Sequence, residues 1–282
     1  MQSTSPNTLN TLQYHMELIF NHRFGKVEQQ SLIVCDVLAL PDPHQEDETD
    51  LLEAGWLALD RSYHIHGADR EVFYQCRSTR IDLERVNPRF PQHCLGDHPL
   101  MMKEIFPRNR ADTVWTGMHQ LYNHYIKRKG FRDLYNPFEH INDRDSFLVF
   151  YTGNIDDVVG FTKIKRYQWQ EYYHNPDLIM PDRWRGDDDI ETGTYAIESV
   201  MHCNNQPISQ PTMDMEIAWA QSQDMAYYYA GAGYERSSIY KSEWKGFEWW
   251  TGTKWSRSKR EYKRLCEQDS KLRTISDLGN AK

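Results

Sequence analysis

With 282 residues, 39% of them hydrophobic and 26% charged, the chain is long enough for one large domain or two modest ones and too apolar to be wholly disordered. Its formal net charge of -8 withholds the broad basic face that grips a duplex through its phosphates, so duplex DNA is the least expected partner, although basic residues cluster at Lys127, Arg128 and Lys129 and across 254–264. Five widely spaced cysteines (Cys35, Cys76, Cys94, Cys203, Cys266), no apolar run near the roughly 20 residues that span a bilayer, and a start at Met1 to Ser5 without a basic-then-hydrophobic stretch point away from a secreted disulfide scaffold or a membrane protein and toward the cytoplasm.

After a polar first ten residues, 31–40 (SLIVCDVLAL) is aliphatic and β-branched and predicts a largely buried strand. The acidic, proline-bearing 41–50 (PDPHQEDETD) predicts an exposed connection into a short helix over 51–56. Residues 72–83 (VFYQCRSTRIDL) predict the next strand. Pro88, Pro91, Pro99 and Pro107 break any long element between 87 and 110, so a domain boundary is expected near Pro107, with a smaller N-terminal α/β domain over 1–110 and a second domain over 111–282.

From Ala111 onward, Val114, Trp115, Met118, Leu121, Tyr122, Tyr125 and Ile126 recur at helical spacing, and Gly130 ends the pattern. Strand-like runs over 147–151 and 158–167 flank the turn residues 152–157, which favour an antiparallel hairpin. A further strand is expected over 194–202 (TYAIESVMH). Pro211 suits the first turn of a helix whose apolar stripe is Met213, Ile217 and Ala220, and 226–231 (AYYYAG) reads as another buried strand. Helix, hairpin, strand, helix, strand is the order of an α/β (α+β) layer structure: a mixed sheet flanked by helices.

The segment 227–255, YYYAGAGYERSSIYKSEWKGFEWWTGTKW, resembles the C-terminal signature of the aminoacyl-tRNA protein transferases, whose catalytic domain is GNAT-like. Tyr227, Tyr229, Gly231, Tyr234, Tyr240, Lys241, Glu248, Gly252 and Trp255 fill comparable places, with a small shift around Gly233. Earlier elements follow in order: Leu51, Leu52, Gly55 and Trp56, then Cys76 with Arg80, then Leu121, Tyr122 and Tyr125. The family's cysteine cluster is absent, since Arg70 and Phe73 stand where its preceding cysteines are expected, so no iron-sulfur site is expected. Ahead of the 211 helix, 206–211 (QPISQP) lacks the glycines that let backbone approach a CoA pyrophosphate, which counts against acetyl-CoA as donor.

The resemblance implies an aminoacyltransferase that takes aminoacyl-tRNA as co-substrate, with no other cofactor, and an amine-bearing acceptor such as a protein N terminus. Such a reaction needs an activated ester, an amine able to lose a proton, and donors aimed at the developing oxyanion. The resemblance offers backbone N–H groups of the 194–202 strand as those donors, with Tyr240 and Lys241 near the donor's terminal adenosine; Tyr240 is alternatively a general acid. Glu198, which interrupts an apolar strand, and Glu216, on the following helix, are candidate bases, with an outward strand position the competing reading of Glu198. Arg80 suits a phosphate or carboxylate, or a structural ion pair. Tyr229, Tyr234, Glu248 and Trp255 complete the expected substrate contacts, against core packing.

The cluster Trp244, Phe247, Trp249, Trp250 and Trp255 fits either a core or a stacking platform. His64, His66, Cys76, His93, Cys94 and His98 match zinc ligands by type but at no standard spacing, and Asp187 to Asp189 read as a solvated loop, so no metal is expected. Two rival functions stay open: a GNAT acyltransferase using acyl-CoA or another donor on a small amine or modified nucleobase, and a non-catalytic module that binds tRNA or a peptide terminus.

Overall fold

In the computed structural model of the chain the described residues are 45–65, 68–87, 92–107, 113–129, 136–139, 141, 145–168, 194–204 and 208–271, with short strand pieces nearer the N terminus. Strands β1 (His22–Arg23) and β2 (Gln30–Ser31) pair with each other. β3 (Asp36–Ala39), β4 (Trp56–Ile65) and β5 (Ala68–Gln75) make an antiparallel sheet in the order β3-β5-β4, and α1 (Gln45–Glu53) connects β3 to β4. The helix expected over 51–56 thus starts earlier and stops at Glu53, because Trp56 already belongs to a strand.

The remaining strands are β6 (Ser78–Asp82), β7 (Cys94–Leu95), β8 (His98–Ile105), β9 (Asp145–Thr152), β10 (Val158–Gln168), β11 (Thr194–Asn204), β12 (Tyr227–Ala232), β13 (Phe247–Trp250) and β14 (Trp255–Ser256). They form one nine-stranded sheet in the order β14-β13-β6-β12-β11-β10-β9-β8-β7. The single strand expected over 72–83 is two strands in two sheets: the chain leaves the small sheet after Gln75 and enters the large one at Ser78. Among 88–107, where prolines argued against any long element, β8 forms with Pro99 as its second residue, a strand-start position that tolerates proline. Strands from both sides of residue 110 share the large sheet.

Its two faces are covered by different helices, as alternation along each strand requires. On one face Ile81, Leu148, Phe150, Ile164, Ile197, Tyr228 and Phe247 pack beneath α3 (Ser209–Ser222) and α4 (Lys259–Asp269). On the other, Phe147, Val149, Phe161 and Cys203 meet Val114, Trp115, Met118, Leu121 and Tyr122 of α2 (Thr113–Lys129), the apolar stripe visible in sequence. Further along that second face Tyr167, Ala196 and Tyr229 pack with Leu52 and Leu57 of α1 and β4, joining the small sheet to the large one.

The aromatic run after residue 243 belongs to this interior. Trp244, Phe247, Trp249 and Trp250 are all buried, and Phe247 lies with its ring 4.7 Å from that of Tyr262 in α4. The basic stretch 254–264 is partly tied down by the chain itself: Arg257 pairs with Glu248, Lys263 with Glu243 and Arg264 with Glu261, and Lys259 Nζ donates to Trp244 O. Ser258 caps α4, its Oγ accepting from Glu261 N at 3.3 Å.

Candidate functional site

Every ladder in the large sheet is antiparallel except β11 with β12, which run parallel around the α3 crossover. That parallel pairing is short. It comprises Ala196–Tyr227, Ile197–Tyr228 and Glu198–Tyr229; beyond it β11 continues to Asn204 paired with β10 while β12 closes on β6 through Ala232–Ser78. Gly231, at φ +75, makes the break possible, because a left-handed backbone turns the strand away without the clash a Cβ would bring. The parallel pairing thus ends at Glu198 and Tyr229, in the middle of the sheet, at a point we call the wedge.

Lys241 fills the base of that wedge. Its Nζ donates to Ala230 O at 2.6 Å and Ala232 O at 2.7 Å, and a Cβ placed on Gly231 would lie 3.6 Å from Ser199 O of β11 and 3.9 Å from Lys241 Nζ, so the ammonium stands beside β12 where its pairing with β11 ends. Two strand carbonyls that β11 no longer serves are thus satisfied by a side chain. Burial pushes the Lys241 amine down to about 8.

Around the wedge, on the α3 side, lies a chain of polar groups. Tyr228 OH and Thr162 Oγ1 donate to the two oxygens of Glu216, the latter at 2.6 Å, and Thr162 Oγ1 also lies 2.7 Å from His202 Nδ1. Glu216 is 1% exposed, so it reaches a ligand only through these neighbours, while His202 keeps 23% of its side chain exposed. Tyr240 packs edge-on to Trp244 at 6.3 Å, and burial, with the charge of Glu216 adding, pushes its phenol up to about 12. Burial likewise raises Tyr228 well above the ordinary phenol range, again reinforced by Glu216.

A second cluster occupies the opposite face. Glu198, Tyr229, Arg80 and Glu248 stand side by side across β11, β12, β6 and β13 in register. Arg80 donates from Nε to Glu248 at 2.9 Å and from Nη1 to Glu53 at 2.8 Å and Tyr229 OH at 3.1 Å, and its guanidinium stacks 4.0 Å from the Tyr227 ring and 4.1 Å from that of Trp255. Burial opposes its charge, yet the groups facing it, Tyr229 and Glu53 foremost, hold it above the ordinary arginine range. Arg257 completes the array by donating to Glu248 at 2.7 Å, and Trp255 Nε1 donates to Glu53 O at 2.8 Å. With Arg80 only 5% exposed and its fork turned to these acids, the cluster ties α1, β6, β12, β13 and β14 together.

The residues singled out from sequence therefore fall into two groups. Glu216 lies near enough to Tyr240 for its charge to raise the phenol, while Lys241 turns instead to Ala230 O and Ala232 O. Arg80, Tyr229, Glu248 and Trp255 meet in the ion-pair cluster. Glu198 lies apart from Glu216 on the other face, where its Oε2 accepts from Ala58 N at 3.1 Å and Tyr167 OH at 2.6 Å and so links β11 to β4. Tyr234 joins Arg77 rather than Arg80: its OH accepts from Arg77 N at 3.0 Å and its ring lies 4.9 Å from that guanidinium.

Thr162, His202 and Tyr228 carried no motif, and only the register that sets Thr162 opposite His202 brings them to Glu216. Glu53, Tyr227 and Arg257 join the second cluster by the same long-range pairing.

Among the described residues no three His, Cys, Asp or Glu side chains converge as a metal would need; the His64 and His66 side chains and Asp187 to Asp189 lie outside them. Cys76 Sγ instead faces Ser78 Oγ at 3.6 Å, and His93 Nε2 lies 3.2 Å from Asp214 Oδ2 without hydrogen-bond alignment. Asp214, His93, Gln210, Trp244 and Lys245 line a cleft of about 530 Å³ whose lining includes none of His202, Glu216, Tyr228, Tyr240 and Lys241. None of the described helices is long and apolar enough to cross a membrane.

Neither a protein-family model nor a curated protein matches the chain.

Proposed function

We propose that this chain is a GNAT-like acyltransferase of the cytoplasm that moves an amino acid from aminoacyl-tRNA to an amine-bearing acceptor such as a protein N terminus, with catalysis in residues 111–282 and donor or acceptor contacts from 1–110. The observation that carries the reading is the short pairing of β11 with β12, the one parallel pair among the described strands, which ends near a titratable cluster formed by His202, Glu216, Tyr228 and Tyr240. The parallel register ends at Glu198–Tyr229, so backbone N–H groups further along β11 that face away from β10 are the candidate donors to a bound carbonyl. Acyl transfer needs those donors, a base and an acid within one small space.

In this reading the ester carbonyl of the donor lies in the wedge with its oxygen toward the β11 backbone. The acceptor nitrogen forms a bond to the carbonyl carbon, the carbon-oxygen bond to the ribose breaks, and the amine loses one proton while the departing hydroxyl gains one. Tyr240, held protonated at neutral pH by burial and by Glu216, suits the role of acid toward that hydroxyl. Lys241 acts by position: clamping Ala230 O and Ala232 O, it keeps β12 from closing on β11. Arg80, Tyr229, Glu248 and Trp255 support the wedge from behind, holding β6, β12 and β13 in register.

Purified protein incubated separately with radiolabelled aminoacyl-tRNA pools and with labelled acetyl-CoA, each with an extract cleared of ribosomes, tests the reading. Acid-stable label from tRNA alone is the expected result. Label from acetyl-CoA alone replaces the donor, and label from neither, with tRNA still retained on the protein, favours a binding module.

A further inference from the structure

The wedge contains a proton acceptor of its own. Thr162 has one hydroxyl proton, and its Oγ1 donates that proton to Glu216 Oε1 at 2.6 Å. The same oxygen lies 2.7 Å from His202 Nδ1, so the ring nitrogen must be the donor there, and Nδ1 carries the hydrogen. Glu216 as a carboxylate only accepts, from Thr162 at one oxygen and from Tyr228 OH at the other. The remaining nitrogen, Nε2, has one polar partner among the described residues, Thr212 Oγ1 at 3.5 Å, and that hydroxyl donates to Ile208 O at 2.9 Å. In the neutral ring Nε2 therefore carries a lone pair that no described residue engages closely, on a side chain that is 23% exposed.

We infer that His202 is the catalytic base of the site: Nε2 takes the proton from the acceptor amine, and Thr162 with Glu216 are positioning residues that fix the imidazole as the Nδ1–H tautomer. The inference takes the identity of the amine from the acyl-transfer reading, while the tautomer stands on geometry alone. In the reaction the amine nitrogen gives one proton to Nε2 as its lone pair bonds to the carbonyl carbon. The electrons of the breaking carbon-oxygen bond leave with the ribose oxygen, which takes a proton from Tyr240, and proton return from His202 through solvent restores both groups. The arrangement also explains why Glu216 can serve from 1% exposure: through Thr162 it orients the imidazole rather than meeting the substrate.

Two measurements on the full chain keep this assignment separable from the activity. Two-bond 1H–15N correlation spectra of wild type at pH 8 are expected to show His202 as the Nδ1–H form, with T162V shifting the ring toward a tautomer mixture. In transfer from labelled aminoacyl-tRNA, H202A is expected to lose on the order of 100-fold in kcat with KM for the acceptor changed less than about threefold. Added imidazole is expected to restore kcat in proportion to its concentration. An Nε2–H tautomer in wild type overturns the inference, as does an H202A protein that keeps kcat within a factor of two or a loss that imidazole leaves untouched. If wild type transfers nothing yet shows the Nδ1–H form, the acyl-transfer reading falls and the proton-acceptor assignment at Nε2 survives.

Discussion

Replacing Lys241 by methionine removes a buried ammonium whose described polar partners are two backbone carbonyls, Ala230 O and Ala232 O. Although Lys241 as a residue is half-buried, its charged end is enclosed, and desolvation brings its amine down to about 8. The sign follows from proton counting. Below pH 8 both folded and unfolded chains hold the proton, and the folded state bears the full cost of enclosing a charge. Between about 8 and the free-lysine value of about 10.4 only the unfolded chain holds it, so stability rises with pH, by about 1.4 kcal/mol per pH unit and roughly 3 kcal/mol in all.

Tyr228, Tyr229 and Tyr262, all raised by burial, pull the other way at high pH, since they ionise first in the unfolded chain. The useful quantity is therefore the difference between wild type and K241M. Urea unfolding of both proteins from pH 7 to 10.5 is expected to show wild type gaining roughly 3 kcal/mol on K241M across that range. Parallel stability curves would refute the reasoning, since they require an amine with the same proton affinity in the folded and unfolded chain.

Further outcomes follow from the same contacts. R80M leaves Glu248, 4% exposed, without one of its two arginines and removes the Arg80–Glu53 contact, and is expected to cost about 3–5 kcal/mol in urea unfolding; R80K, which keeps the charge but not the fork, falls between. E198A deprives Ala58 N–H and Tyr167 OH of their shared acceptor, costs about 2–4 kcal/mol, and speeds amide exchange at Ala58 more than at Tyr228, because it loosens the small sheet first. G246A sets a methyl group into the carbonyl of Asp82, where β13 approaches β6, and is expected to cost about 3 kcal/mol without altering the wedge residues.

Much of the sheet was legible because its central strands are continuous apolar runs bounded by turn residues. The runs 147–151, 158–167, 194–202 and 226–231 correspond to β9, β10, β11 and β12 within a few residues, and the period of Val114, Trp115, Met118 and Leu121 marks the buried face of α2. What stayed hidden is what periodicity does not carry. The break at Cys76 and Arg77 lies inside an unbroken strand-like run, and only the change of sheet reveals it. β8 was masked by Pro99, whose missing N–H matters less at the second residue of a strand than in its middle.

For the site, single residues were visible and their grouping was not. Glu198 and Glu216 each stand out as acids in apolar surroundings, yet they serve opposite faces of the sheet, a distinction fixed by register with Tyr229 on one side and by α3 packing on the other. His202 drew no attention because an isolated histidine at a strand end has no local signal; its role depends on Thr162, forty residues away in sequence.

The central claim is that the wedge between β11 and β12, and not the Arg80 cluster, is where an acyl group changes hands. Transfer of label from aminoacyl-tRNA to acid-stable product, measured side by side for wild type, Y240F and R80M at equal folded concentration, tests it most directly. The account expects transfer by wild type, a fall on the order of 100-fold for Y240F with its unfolding curve little changed, and near-normal turnover per folded molecule for R80M. Equal turnover by Y240F and wild type, or a loss in folded R80M as deep as that in Y240F, would contradict it.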